Sequence, residues 1–307
     1  MTDKQIQGVI VPMLTPMNPD ETVDIPSLRS LVNYLIDNGV HGIWASGTTG
    51  EFANLPDSER IRSMEAVVDE VAGRVPVIGN ISSASTQMSV SLAQEVSELG
   101  MDGIALTPPY YYPDSQDELM DHYRYARDSV GVPLWVYNIP QTVKTAVEPS
   151  TIAALAAEGT VVGVKDSSGA GELLAQLNVL CDQGEISLLR FLGTVFRVTS
   201  AGSVGVHGVI PGIANLVPAV CARGWEAGEA GDADTVRECN AQLIKAQKVG
   251  AVAKGGGANA ASFGGMKAAL KHMGVIEHDT ISRPFRPLTD EEKAQIPPIL
   301  DELGLNS

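Results

Sequence analysis

The sequence predicts an α/β protein, a (β/α)8 TIM barrel with a C-terminal helical extension. Two observations predict it. Eight short apolar runs rich in Val and Ile alternate with longer amphipathic stretches over the first 210 of 307 residues. Most of those runs are nearly continuously apolar rather than alternating, the pattern of parallel strands buried on both faces. Repeated strand–helix alternation implies right-handed crossovers into a parallel sheet, and eight strands suit a closed barrel of about 250 residues with something added.

The expected strands lie at 8–16, 39–47, 75–81, 103–108, 132–138, 161–165, 188–193 and 203–210. Helices are expected between them at 27–38, 57–72, 86–99, 116–130 and 150–158. Pro26, Pro56 and Pro149 stand at helix starts, Ser115 is placed to cap 116–130, and Gly39, Gly73, Gly100, Gly131 and Gly159 follow the last turns. After Ile210 the pattern is helical, at 217–228, 232–249 and 265–272. The Gly/Ala-rich stretch 255–265 reads as a connecting loop. The division expected is a barrel over 1–215 carrying the active site, with barrel closure and a helical extension over 216–307. The competing architecture is an open doubly wound sheet. Its nucleotide-binding form would place G-x-G-x-x-G after the first strand, where Thr15-Pro16-Met17-Asn18-Pro19 stands instead, and no G-x-x-x-x-G-K-[ST] occurs.

Composition narrows the partners. A formal net charge of −16 repels phosphate backbones and anionic lipid surfaces, so neither nucleic acid nor membrane is an expected partner. No run reaches the roughly 18 apolar residues of a membrane span. The polar stretch 1–7 lacks the apolar core of a signal peptide. Cys181, Cys221 and Cys239 are odd in number and widely spaced, which suits buried thiols in a reducing compartment and no zinc site. A cytoplasmic location is expected. The five histidines are scattered, none at helical i,i+4 spacing from another His or Cys, so no metal site is expected.

A barrel of this kind carries its chemistry at the carboxyl ends of the strands. Four ends are polar. The second ends in Ser46-Gly47-Thr48-Thr49-Gly50-Glu51, the fourth in Thr107-Pro108-Pro109-Tyr110-Tyr111-Tyr112-Pro113, the fifth in Tyr137-Asn138-Ile139-Pro140 and the sixth in Lys165-Asp166-Ser167-Ser168-Gly169. Lys165 terminates Val161-Val162-Gly163-Val164. A lysine pointing into a barrel is costly unless it is paired or gives up its proton. Desolvation lowers an amine's pKa, and a neutral amine is the nucleophile that forms an imine with a ketone. The alternative is a structural ion pair with Asp166. Tyr137, on an adjoining strand, can relay protons or can simply be core. Gly47-Thr48-Thr49-Gly50 offers N–H groups and two hydroxyls suited to a carboxylate, or is an ordinary capped turn. Tyr110 to Tyr112 serve packing or an interface.

These segments occur in a fixed order: G-T-T-G-E at 47–51, T-P-P-Y-Y-Y-P at 107–113, Y-N-I-P at 137–140, G-V-K-D-S-S-G at 163–169, G-V-H-G-V-I-P-G at 205–212 and R-P-F-R-P-L at 283–288. In this the chain resembles the N-acetylneuraminate lyase and dihydrodipicolinate synthase family across nearly its whole length. The resemblance implies that Lys165 forms a Schiff base with pyruvate or a related 2-oxo acid and that Tyr137 relays protons. It implies that Gly47, Thr48 and Thr49 hold the carboxylate, that Thr48 and Tyr110, the latter from this or a neighbouring subunit, extend a hydroxyl relay, and that Ile210 lines the pyruvate site. Tyr111 competes with Tyr110 for that place. The resemblance further implies a homotetramer, a dimer of dimers, with no metal or cofactor.

Two departures bear on the second substrate. Members that make the lysine precursor carry an arginine shortly after Y-N-x-P, where Thr142 stands here, with Lys144 two residues on. A lysine cannot reproduce arginine's bidentate fork. Sugar-acid lyases carry an acidic residue after the glycine ending the seventh strand, whereas Gly193 is followed by Thr194-Val195-Phe196. The reading is a class I aldolase or lyase whose aldehyde partner is less hydroxylated or more apolar, such as that of a short 2-keto-3-deoxy acid or a hydratase-aldolase. Dihydrodipicolinate synthase (4-hydroxy-tetrahydrodipicolinate synthase), a 2-oxo acid dehydratase, and a binding protein without turnover are the alternatives. Joint retention of Lys165, Tyr137 and Thr48-Thr49 counts against the last.

Overall fold

The structure, a computed structural model, describes residues 6–305 other than Ala170 and Phe196. Eight parallel strands close into a barrel: β1 (Gly8–Pro12), β2 (Gly42–Ala45), β3 (Val77–Asn80), β4 (Gly103–Leu106), β5 (Leu134–Asn138), β6 (Gly163–Asp166), β7 (Leu189–Leu192) and β8 (Gly208–Val209). β1 pairs with both β2 and β8, and the Gly8–Gly208 and Val9–Val209 partners seal the ring.

Alternation within each strand separates two apolar layers. Ile10, Trp44, Ile78, Trp135, Tyr137 and Phe191 fill the barrel interior. Their neighbours, among them Val9, Val11, Ile43, Leu134, Val136 and Val164, pack against the surrounding helices. Both faces of the strands are therefore apolar, which is why the runs read as continuous. The helices also begin where their caps direct. Ser115 and Glu118 form a reciprocal capping box at Gln116–Ser129, and Asp24 accepts from the Ser27 amide at Ile25–Asp37. All three cysteines are buried.

Several expectations need correction. The helix Glu172–Gly184 between β6 and β7 went unanticipated, although its apolar residues recur at Leu174, Leu177 and Cys181. Residues 203–207 are not strand. Ala201–Val204 is a 3-10 turn and β8 is two residues long, because the segment connects at the amino end of the barrel before entering it. The stretch 255–265 is not a loop throughout, since the helix Ala258–His272 runs through most of it. Gly265 is there for close approach rather than to break the helix. A Cβ on it would lie 2.1 Å from the carbonyl oxygen of Val249, in the adjacent helix Lys248–Ala251. Gly265→Ala is expected to lose on the order of 1–3 kcal/mol by overpacking, outweighing the roughly 1 kcal/mol that alanine gains in helix propensity. A urea unfolding midpoint at or above the parent's would refute this.

Among the described residues no helix is long and apolar enough to cross a membrane. No group of three or more His, Cys, Asp or Glu suited to a metal ion occurs among them either.

Candidate active site

The ends of β5 and β6 place two of the expected residues side by side. Tyr137 and Lys165 are register partners, so strand alternation turns both inward while Asn138 and Asp166 turn outward. Asp166 is then engaged elsewhere: its Oδ1 accepts from Asn138 Nδ2 at 2.9 Å and from the Ser168 amide at 3.1 Å. The Lys165–Asp166 ion pair that the sequence left open is not formed. Lys165 is 3% exposed, with its Nζ 4.1 Å from the ring centre of Tyr137 and 4.9 Å from that of Trp44. Burial without a carboxylate partner pushes this amine below the ordinary lysine range, and Tyr137 opposes the shift only in part.

The Tyr137 hydroxyl lies 3.0 Å from Thr48 Oγ1, which brings the end of β2 to the same point. The turn bearing Thr48 is held from outside. Asn80 Nδ2 donates to the Ser46 carbonyl at 3.0 Å, Thr15 Oγ1 donates to the Gly50 carbonyl at 2.8 Å, and the Glu51 amide donates to the Thr48 carbonyl at 3.0 Å. The amides of Thr48 and Thr49 find no acceptor among the described residues. Two adjacent free N–H groups beside hydroxyls make a cradle for an anionic oxygen. Thr49 is buried, and a Cβ on Gly212 would lie 3.5 Å from its Oγ1, so the end of β8 approaches the same turn. Ile210 is 2% exposed and belongs to the barrel-interior cluster with Trp44, Tyr137 and Phe191. The end of β7 comes close to Lys165: a Cβ on Gly193 would lie 3.2 Å from Lys165 Cε and 2.1 Å from Ser167 Oγ, so a larger residue there would require Ser167 to turn aside.

A cavity of about 210 Å³ opens beside Thr48. Tyr110 and Thr142 are among its lining residues. Tyr110 meets Phe52 edge-on at 6.4 Å, and the recorded hydrogen bond of Thr48 goes to Tyr137 rather than to Tyr110. The cavity's apolar walls come from Phe52, Ile139, Val143, Phe263 and Phe285, with Asn54 and Asn259 as polar points. No lysine or arginine is among its described lining residues. Lys144 is exposed, in a left-handed turn, and off the wall; Arg60 stands behind Phe52, 5.1 Å from its ring centre.

The apolar surface anticipated at 194–196 is not where this cavity finds its character. Thr194 and Val195 are half-buried and do not line it, Val195 packing instead against the outer apolar layer; Phe196 lies outside the described residues.

Sequence reading missed the roles of Phe52, Phe263 and Phe285, and of Glu51 with Lys267. Phe52 follows G-T-T-G-E directly and Phe285 sits within R-P-F-R-P-L, yet nothing local shows that they meet. Lys267 did carry a signal, the same one as Lys165: a lone charge inside an apolar run, Gly264 to Leu270.

Comparison with known proteins identifies the family. The model of the dihydrodipicolinate synthetase family matches residues 5–303. An uncharacterized DapA-like lyase of Halobacterium salinarum is 34% identical over 300 residues, covering 98% of this chain and 95% of its own. The 4-hydroxy-tetrahydrodipicolinate synthase of Pelobacter propionicus is 32% identical, covering 97% and 99%. Among solved structures, the dihydrodipicolinate synthase of Acinetobacter baumannii complexed with pyruvate is 27% identical, covers 98% of this chain and 100% of its own, and superposes with a TM-score of 0.86. A strand-end lysine buried in a closed eight-stranded barrel, and a match running from residue 5 to residue 303, make this chain a lyase of the dihydrodipicolinate synthetase family.

Proposed function

We propose that the protein is a class I aldolase that binds pyruvate or a close 2-oxo acid as a Schiff base on Lys165 and makes or breaks a C–C bond to an apolar aldehyde. The observation that carries this reading is the buried Lys165 amine, without a carboxylate partner, against the Tyr137 ring and beside the Thr48–Tyr137 hydroxyl pair. Lys165 Nζ attacks the ketone carbon, and the carbinolamine loses its hydroxyl as water with a proton delivered through Tyr137. The iminium then loses a proton from the adjacent methyl carbon. The resulting enamine attacks the aldehyde carbon, and water releases the product from the lysine. Thr48 and Thr49 hold the carboxylate through hydroxyls and free amides, a local positive potential set against the protein's overall negative charge. A homotetramer is part of this reading; Tyr111 and Tyr112, 71% and 74% exposed beside the mouth, suit a subunit contact.

Removing the relay hydroxyl has a defined consequence. Tyr137→Phe is expected to lower kcat about 10²-fold, the lower range for general acid–base catalysis, with pyruvate binding little changed. A kcat within threefold of the parent would remove Tyr137 from the mechanism.

The names of several relatives favour a second reading, 4-hydroxy-tetrahydrodipicolinate synthase itself. The cavity wall supports the first reading instead: its described lining is mostly aromatic and aliphatic, its polar groups are the neutral Thr48, Thr107, Thr142, Asn54 and Asn259 and the ion-paired Glu51, and none of them is a cation for a second carboxylate. A charge-assisted contact is worth about 1.5–3 kcal/mol, roughly ten- to a hundredfold in specificity. Aspartate semialdehyde is therefore expected to be a poor partner compared with benzaldehyde-like or short aliphatic aldehydes in a pyruvate-consumption assay, and Thr142→Arg is expected to narrow that gap. Efficient use of aspartate semialdehyde, at about 10⁴ M⁻¹s⁻¹ or better in kcat/KM, would decide for the synthase.

A further inference from the structure

Glu51, the last residue of G-T-T-G-E, borders the cavity beside Thr48 and has both carboxylate oxygens occupied. Oε1 lies 2.5 Å from Lys267 Nζ, and Oε2 accepts from the amide and the hydroxyl of Ser282, each at 2.7 Å. Lys267 also donates to the Thr280 carbonyl at 2.8 Å, and Asn54 Nδ2 donates to Ser282 Oγ at 3.0 Å. Both side chains of the ion pair are 0% exposed. The partners come from opposite ends of the chain: Glu51 from the turn after β2, Lys267 from the helix Ala258–His272.

Stability alone does not account for this arrangement. Two ions taken out of water cost more than well-packed apolar groups of the same size would. Glu51 is moreover held at φ 62°, a left-handed conformation unfavourable to a non-glycine residue. What the pair does hold is the backbone whose amide closes onto the Thr48 carbonyl. With Ser46 tied to Asn80 and Gly50 tied to Thr15, Glu51 is the third fastening of the turn, and Thr48 and Thr49 stand between the fastenings.

We infer that Glu51 and Lys267 are positioning residues for the carboxylate of the 2-oxo acid: the C-terminal helix sets the placement of the Thr48–Thr49 cradle through this buried ion pair. The inference rests on the Schiff-base reading above. Fixing the cradle before substrate arrives spares its ordering on binding, so loosening it should weaken pyruvate saturation more than any later step.

The test is the concentration of pyruvate that half-saturates borohydride trapping on the intact protein, which needs no aldehyde. The double variant Glu51→Gln with Lys267→Met removes both charges and leaves neither unpaired. It is expected to fold, and to require about tenfold more pyruvate, equivalent to one lost charge-assisted bond, while the trapping rate at saturation stays within threefold. Ser282→Ala, which deletes one of the donors to Oε2 and retains its backbone partner, should raise the requirement about threefold and serves if the double variant does not fold. Unchanged half-saturation in a folded variant overturns the inference while leaving the Schiff base intact. Failure of the parent protein to be trapped at all overturns the Schiff-base reading on which it stands.

Discussion

Pyruvate followed by borohydride is expected to add one reduced pyruvate to this protein, at Lys165, and Lys165→Ala is expected to abolish the adduct. The same substitution should lower kcat by on the order of 10⁴-fold or more, as losing a covalent nucleophile does elsewhere. The expectation rests on state and place together. The amine sits at the carboxyl end of β6, buried, with aromatic rings on two sides, and burial drives it towards its neutral form. The sign for pH follows. An ordinary lysine has a pKa of 10.5, and here it is lowered, so the nucleophilic amine is present at pH values where a solvent-exposed lysine is still protonated. Trapping should rise with pH and level off below 10.5; as pH falls through the lowered pKa, protonation should extinguish it. Labelling at Lys267, which is also buried, or a trapping curve that rises only with an ordinary lysine's pKa, would defeat the assignment. Intact mass, peptide mapping and the pH–rate profile make those distinctions.

The second large effect concerns stability. Lys267→Met is expected to cost about 3–5 kcal/mol, because it leaves the Glu51 carboxylate buried with its strongest partner gone. The two Ser282 donors and the left-handed backbone keep the carboxylate from turning out to water. Adding Glu51→Gln should recover most of the loss, since the variant then buries no lone charge; the two substitutions are in contact and should be strongly non-additive. Urea unfolding measures both, with a midpoint shift for the single variant of roughly 1–2 M. A single-variant loss below about 1 kcal/mol, or additive losses, would mean that the ion pair is not the constraint its burial implies.

The barrel was legible because its signal is local. Burial on both faces makes each strand a short apolar run, and proline, serine and glycine mark the helix ends around it. Lys165 and Tyr137 were legible for the same reason, as reactive groups at the ends of such runs. The helix Ala258–His272 was misread because glycine carries two meanings: it breaks a helix when exposed and permits close packing when buried. Gly265 against the Val249 carbonyl is the second case, and only the neighbouring helix distinguishes it from the first.

The sequence by itself therefore determined the fold class, the strand-end position of the lysine and tyrosine, and the paired-threonine turn that ends the second strand. Tertiary structure alone decided that Asp166 is engaged by Asn138 of the neighbouring strand, that Phe52, Phe263 and Phe285 share one cavity, and that Glu51 meets Lys267 across 216 positions of chain. Periodicity and capping act within a turn or a strand, over a few residues. Contacts such as these depend on which distant surfaces the closed barrel and its C-terminal helices bring together, and no local pattern records that.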